Sequence, residues 1–257
     1  MMSENNFNEI FEKAKNYAYS SMNYIEFEEC KNAEIMHNND NFILLRDKSK
    51  SPHMLYFAAN NFEDLLAVIE VIPDKLRLHF VPRPYVKRLE ALGFTEWGEY
   101  VDFWNNELTQ TATKISTPAR PEFLSQHECV VAAEVSQKCR LQSRGFEGET
   151  EAWFTQWLDE GKVIIVRNGT TLAGFCCVSI YNEGTTLWIR EIAVDPAFQG
   201  QDYGKKLIAQ AIQYGAENGA IKGFLLADIL NENAIGLYAK YNFHATGTDS
   251  EIQMIRG

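Results

Sequence analysis

The stretch VDPAFQGQDYGKKLI, Val194 to Ile208, joins an apolar run to a helix-forming one, and its reading decides the fold. A strand ending at Val194, a loop bearing Gly200, and an immediate helix start leave several backbone N–H groups without carbonyl partners. The positive end of the helix dipole lies behind them, so the turn suits a phosphate. Gly200 and Gly204 permit close backbone approach or positive φ. The amides of Gln199 and Gln201 and the ammonium groups of Lys205 and Lys206 are expected to supplement such a cradle. Glycine spacing alone fits an ordinary surface turn equally well, so the surrounding elements must decide.

Upstream, PEFLSQHECVVAAEVSQKCRLQ and TEAWFTQWLDEG read as helices, the second closed by Gly161 as a C-cap glycine. KVIIVR and TLAGFCCVSIYN flank Asn168-Gly169, the dipeptide most typical of tight hairpins, and TTLWIREIAV follows the Glu183-Gly184 turn. Downstream lie the helix GKKLIAQAIQYGAENG, the strand KGFLLAD, the helix NENAIGLYAKY and a last strand SEIQMI. The order is ααβββαβαβ, an α+β arrangement with a mixed, mostly antiparallel sheet flanked by helices.

REIAVDPAFQGQDYGKKLI, followed after one strand by NENAIGLYAKYNF, resembles the GNAT N-acetyltransferase superfamily. The resemblance covers about residues 120–257. It sets Gln199, Gly200, Gln201, Asp202, Tyr203, Gly204 and Lys205 at the pyrophosphate loop of acetyl-CoA, with Asn231, Ala234, Tyr238, Asn242 and Phe243 in the second motif. By the same resemblance, the backbone of Ile192, Ala193 and Val194 binds the pantetheine arm. Tyr238 stands where the family commonly places the acid that protonates the departing CoA sulfur, and Glu191 where a base could take the amine proton. For each of these two side chains a structural reading stays open: a packing tyrosine, and a surface carboxylate paired with Arg190. Two residues depart from the pattern. Asp202 replaces a glycine and puts a carboxylate in a phosphate loop, while Asn242 replaces the helix-ending glycine at a left-handed position that Asn tolerates.

The first half carries apolar runs at Phe42–Leu45 and Met54–Phe57, the helical pattern NFEDLLAVIEVI, the strand KLRLHFV, the helix RPYVKRLEALGF and the short segment EYVDFW. Its Gly93-Phe94 echoes the end of the second motif, but Leu89 stands where the tyrosine would be and no phosphate turn precedes it. A degenerate GNAT-like half is expected. The Thr- and Pro-bearing ELTQTATKISTPARPEF, Glu107 to Phe123, reads as a linker, which gives domains at 1–110 and 122–257 joined by 111–121.

With 257 residues, 46% hydrophobic and 23% charged, the chain can bury real cores. A formal charge of −11 speaks against nucleic acid or an anionic membrane as partner. No apolar run reaches the roughly 18–20 residues of a membrane span, and MMSENNFNEIFEKAKNY lacks the features of a signal peptide. The chain is therefore expected to be cytoplasmic, as a monomer or homodimer. Its five cysteines lack metal-ligand spacing, and no metal is expected. His127-Glu128 has no second histidine four residues on. In the family the loop CRLQSRGFEGET covers the acceptor site; here it also reads as a solvated connection. The resulting expectation is transfer from acetyl-CoA, as acyl donor, to a primary amine of a small molecule or peptide. The alternative is a non-catalytic CoA-binding or regulatory module of the same fold.

Overall fold

Continuous apolar runs, buried on both faces, carry the second half into an antiparallel meander. Strand Lys162–Asn168 turns over Gly169 and Thr170 into Thr171–Tyr181, with Asn168 opposite Thr171 and Gly169 at φ 61°. Strand Thr186–Val194 returns antiparallel to it. In the computed structural model, residues 2–23, 25–115, 120–140, 142–247 and 250–257 are described. Their contacts form two units, Met1–Glu99 with Ser250–Gly257, and Tyr100–Asp249.

In the first unit the strands run Glu34–Asn38, Phe42–Asp47, His53–Ala59, Leu76–Leu78 and Glu251–Arg256 across the sheet. All neighbours are antiparallel except His53–Ala59 with Leu76–Leu78. Alternation sends Leu44, Leu55 and Phe57 to one face, against helices Phe62–Glu70 and Val86–Ala91. Ile43, Leu45 and Tyr56 go to the other, against helix Glu4–Ala14.

In the second unit Tyr100–Asn105 pairs antiparallel with Lys222–Asp228, which pairs in parallel with Thr186–Val194; the meander and the short strand Glu122–Phe123 complete the sheet. Helices Tyr203–Glu217 and Glu232–Ala239 cover one face through Leu207, Ile208, Ile212 and Tyr238. Helices Cys129–Cys139 and Glu151–Glu160 cover the other through Val135, Phe154 and Trp157. Cys176 joins the first of these cores and Cys177 the second, as neighbours on a strand must.

The mixed, mostly antiparallel sheets with flanking helices are those read from the sequence, but the division of the chain is different. The last strand, expected to close the second half, pairs with Leu76–Leu78 in the first unit, with Met254 opposite Leu78. The short segment EYVDFW is part of an eleven-residue strand, Thr95–Asn105, whose portion from Tyr100 belongs to the second unit. Much of the expected linker is structured too. Leu108–Lys114 is a helix with Leu108 and Ala112 buried, and only 116–119 of that stretch lie outside the described residues. Thr lowers helix propensity enough to disguise this helix, yet burial of its apolar positions outweighs the few tenths of a kcal/mol per residue involved.

Gly161 is another difference. It ends its helix in extended backbone, at φ −154°, not left-handed. A Cβ there would sit 2.5 Å from the Val178 carbonyl oxygen, so close approach and not backbone freedom requires the glycine.

Candidate functional site

Strands Thr186–Val194 and Lys222–Asp228 pair only from Thr186 to Trp188. Beyond that point they diverge. Ile189–Val194 stays with the meander, while Leu225–Asp228 follows Phe103–Tyr100. A bulge accompanies the split, because Ile189 and Glu191 face the successive partners Val178 and Cys177 and leave Arg190 outside the ladder. Bulges bend the strand that carries them. The result is a cleft of about 1060 Å³ within the second unit, lined by both strand ends and the starts of both covering helices. Because Ile189–Val194 is paired on one edge only, the backbone groups of its other edge face the cleft. Ile192, Ala193 and Val194 lie there. The Val194 carbonyl is already occupied, by the Gln199 amide at 3.0 Å and the Cys139 thiol at 3.3 Å.

The turn after Val194 is built by local bonds. Asp195 accepts the Ala197 N–H at 3.0 Å and the Lys138 ammonium at 2.7 Å, and Pro196 starts a short 3₁₀ turn. Gly200 at φ 73° faces open space, and Asp202 at φ 63° is left-handed. Lys206 makes the first helical bond, to the Asp202 carbonyl, so the N–H groups of Tyr203, Gly204 and Lys205 have no carbonyl of their own helix. Gly204 lets two helices approach, since a Cβ there would lie 3.3 Å from Leu237.

The polar side chains of this turn bond mainly to one another and to the turn itself. The Gln199 amide bonds Gln142 at 2.6 Å and the Val194 carbonyl, and the Gln201 amide reaches the Ala197 carbonyl at 3.5 Å; both brace the turn, Gln199 from within the cleft lining. Lys206 is exposed and lies outside the cleft lining. The Asp202 carboxylate, 74% exposed, pairs with Lys205 at 2.7 Å and neutralises charge in place. Asn242, at φ 63°, holds the left-handed position assigned to it. Asn231 caps helix Glu232–Ala239 by accepting the Ala234 N–H at 3.2 Å, and both residues line the cleft.

Glu191 and Tyr238 border the same cleft. Glu191 is half-buried, and this desolvation, reinforced by the nearby Glu149, pushes its carboxyl up to about 8, while Ser136 and Arg190 oppose the rise. Ser136 donates to Glu191 Oε1 at 3.3 Å. The Arg190 guanidinium lies over the rings of Trp153, Trp157 and Trp188, 5.2–5.4 Å from their centroids. Tyr238 is buried within the apolar core under the sheet, and burial raises its hydroxyl far above the usual tyrosine range. It therefore carries its proton at any neutral pH.

The loop over the other side of the cleft departs from the solvated connection of the second reading. Arg144 forms a two-pronged ion pair with the buried Asp228, at 2.7 and 3.0 Å, and Tyr100 donates to the Arg144 carbonyl at 2.5 Å. Ser143, Gly145 and Phe146 line the cleft. Asp228, Tyr100, Ser136 and Glu149 all escaped the sequence reading, because partners 13 to 84 residues apart leave no periodic trace. In the first unit the helix Phe62–Glu70 is capped by Asn61 and begins with Glu63 and Asp64, a helix start unsuited to phosphate.

The fold is one shared by acetyltransferases. A tandem GNAT protein from the clavulanic acid biosynthesis pathway aligns at TM-score 0.56 and 12% identity, covering 84% of this chain and 78% of that one. A GCN5-related N-acetyltransferase from Sphaerobacter thermophilus aligns at TM-score 0.56 and 10% identity, covering 96% and 89%. Residues 131–243 match the model of the acetyltransferase (GNAT) family. An uncharacterized N-acetyltransferase of Methanocaldococcus jannaschii is 29% identical over 99 residues; the match spans 35% of this chain and 44% of that relative, less than half its length. Among the described residues no helix is long and apolar enough to cross a membrane, and no group of three or more His, Cys, Asp or Glu could hold a metal ion.

Proposed function

We propose that the second unit transfers the acetyl group of acetyl-CoA to a primary amine of a small molecule or peptide by direct attack. The observation that carries this reading is the splayed strand pair ending beside free helix N–H groups, with Glu191 at the same cleft. The N–H groups of Tyr203, Gly204 and Lys205 receive the pyrophosphate, and the open strand edge at Ile192–Val194 takes the pantetheine amides as an added strand would. The amine nitrogen bonds to the thioester carbonyl carbon as the carbon–sulfur bond breaks. Glu191 accepts the amine proton, and Tyr238 gives its proton to the departing thiolate. A base poised near the working pH suits that first step.

The test is ligand-dependent stability. CoA at ~100 times its dissociation constant is expected to stabilise the chain by about 2.7 kcal/mol. An unshifted melting temperature in millimolar CoA would remove the reading.

Asp202→Gly checks the turn itself. Glycine relieves the left-handed strain and releases Lys205 toward the phosphates, so CoA should bind about two- to fivefold tighter at low salt, an advantage that fades as salt screens the lysine. Calorimetry at two ionic strengths measures it; equal affinities at both would place Lys205 away from the bound anion.

A further inference from the structure

Ser136 sits in the middle of helix Cys129–Cys139 with no exposed surface, among Ala132, Ala133, Val135 and Cys139. An alanine would suit such a position as well, because a buried hydroxyl costs stability unless it is bonded. Its bonds lead away from the helix. The hydroxyl oxygen accepts the Glu149 backbone N–H at 2.8 Å, and the hydroxyl donates to Glu191 Oε1 at 3.3 Å.

A serine has one proton to give. With Glu149 fixed on the oxygen, that proton is directed at Glu191. The loop end is held on the same helical turn by a second contact, from the Gln137 amide to the Glu149 carbonyl at 3.3 Å. Gly148, at φ 77°, permits the approach: a Cβ there would lie 3.0 Å from Gln137 Cα and from the Ser136 carbonyl oxygen.

We infer that Ser136 is a positioning residue for Glu191, tying the carboxylate to the backbone of the loop before helix Glu151–Glu160. This inference rests on the proposed role of Glu191 as proton acceptor. The tie selects one orientation of the carboxylate and favours its charged form. It thereby offsets part of the burial and of the repulsion from Glu149. The other groups near Glu191 are Arg190 on its own strand, Cys139 on the helix, and Cys176 and Cys177 on the neighbouring strand. The three thiols are neutral, held so by burial. Ser136 is thus the one direct side-chain hydrogen bond to Glu191 among the described residues.

The experiment titrates the intact chain, labelled with ¹³Cδ-glutamate, by NMR, with Glu191→Gln identifying the resonance. Ser136→Ala is expected to raise the Glu191 midpoint by about half to one pH unit, a three- to tenfold tighter hold on the proton. In a parallel assay, acetyl transfer from acetyl-CoA to a panel of primary amines should show its acidic limb moving by the same amount. Ser136→Cys, a weaker donor of similar size, should fall between the two, and it provides the same readout if the alanine variant does not fold. An unmoved midpoint overturns the inference and leaves Glu191 its proposed role. A midpoint that moves while the rate limb stays fixed leaves the tie between Ser136 and Glu191 standing and overturns the reading of Glu191 as the base.

Discussion

Glu191→Gln is expected to lower acetyl transfer by roughly 10²–10⁴-fold, the scale of losing a general base, and to abolish the acidic limb near pH 8. Without the carboxylate, the rate follows spontaneous deprotonation of the amine and keeps rising with pH. The same substitution has an opposite effect on stability. Glu191 has an ordinary value of 4.5 when solvated and about 8 in the fold. Between those pH values the folded chain keeps a proton that the unfolded chain has released, so stability declines as pH climbs through that window. Glutamine removes this slope, and the variant should be the more stable of the two above pH 8. Thermal melts at pH 5 and pH 9 beside the rate profile check both halves; a rate profile identical to that of the unaltered chain removes Glu191 from the chemistry.

Tyr238→Phe is expected to lower turnover by about 10²-fold, with CoA affinity nearly unchanged. The ring stays in the core beside Phe103, centroids 6.5 Å apart, and only the hydroxyl is lost. Steady-state kinetics paired with calorimetry of CoA separates the two quantities. Unchanged turnover returns Tyr238 to a packing role.

Much of the second unit was legible because its signals are local. Asn168-Gly169 marks a hairpin by its own backbone preferences, and Asn242 betrays a left-handed helix end by its residue type. The helix after Gly200 announces itself by periodicity, with Leu207, Ile208, Ala211 and Ile212 all buried on one face. What failed was tertiary. Leu108 and Ala112 stand four apart and both are buried, a spacing that could have revealed the helix inside the supposed linker. The Arg144–Asp228 pair and the tie from Ser136 to Glu191 depend on chain segments 84 and 55 residues apart meeting in space. The candidate site was therefore half legible. Residues in its motifs could be named, while those that orient or close it had no shared pattern. Asp202 shows the limit from the other side: its place at the helix start is local, but its charge is met by Lys205, three residues away, whose direction a sequence does not give.

The return of Glu251–Arg256 to the first unit sets the order in which the protein can be completed during synthesis. A ribosome makes the chain from the N-terminus, and domains generally fold as their last residues emerge. Here Leu76–Leu78 waits for a partner strand made about 175 residues later, after the whole second unit has been built. The second unit, whose strand Tyr100–Asn105 is made first, has all of its own strands earlier than the first unit does. Leu78 and its neighbours must be kept from other unpaired strands for that interval, a hazard any fusion or truncation at the C-terminus would prolong.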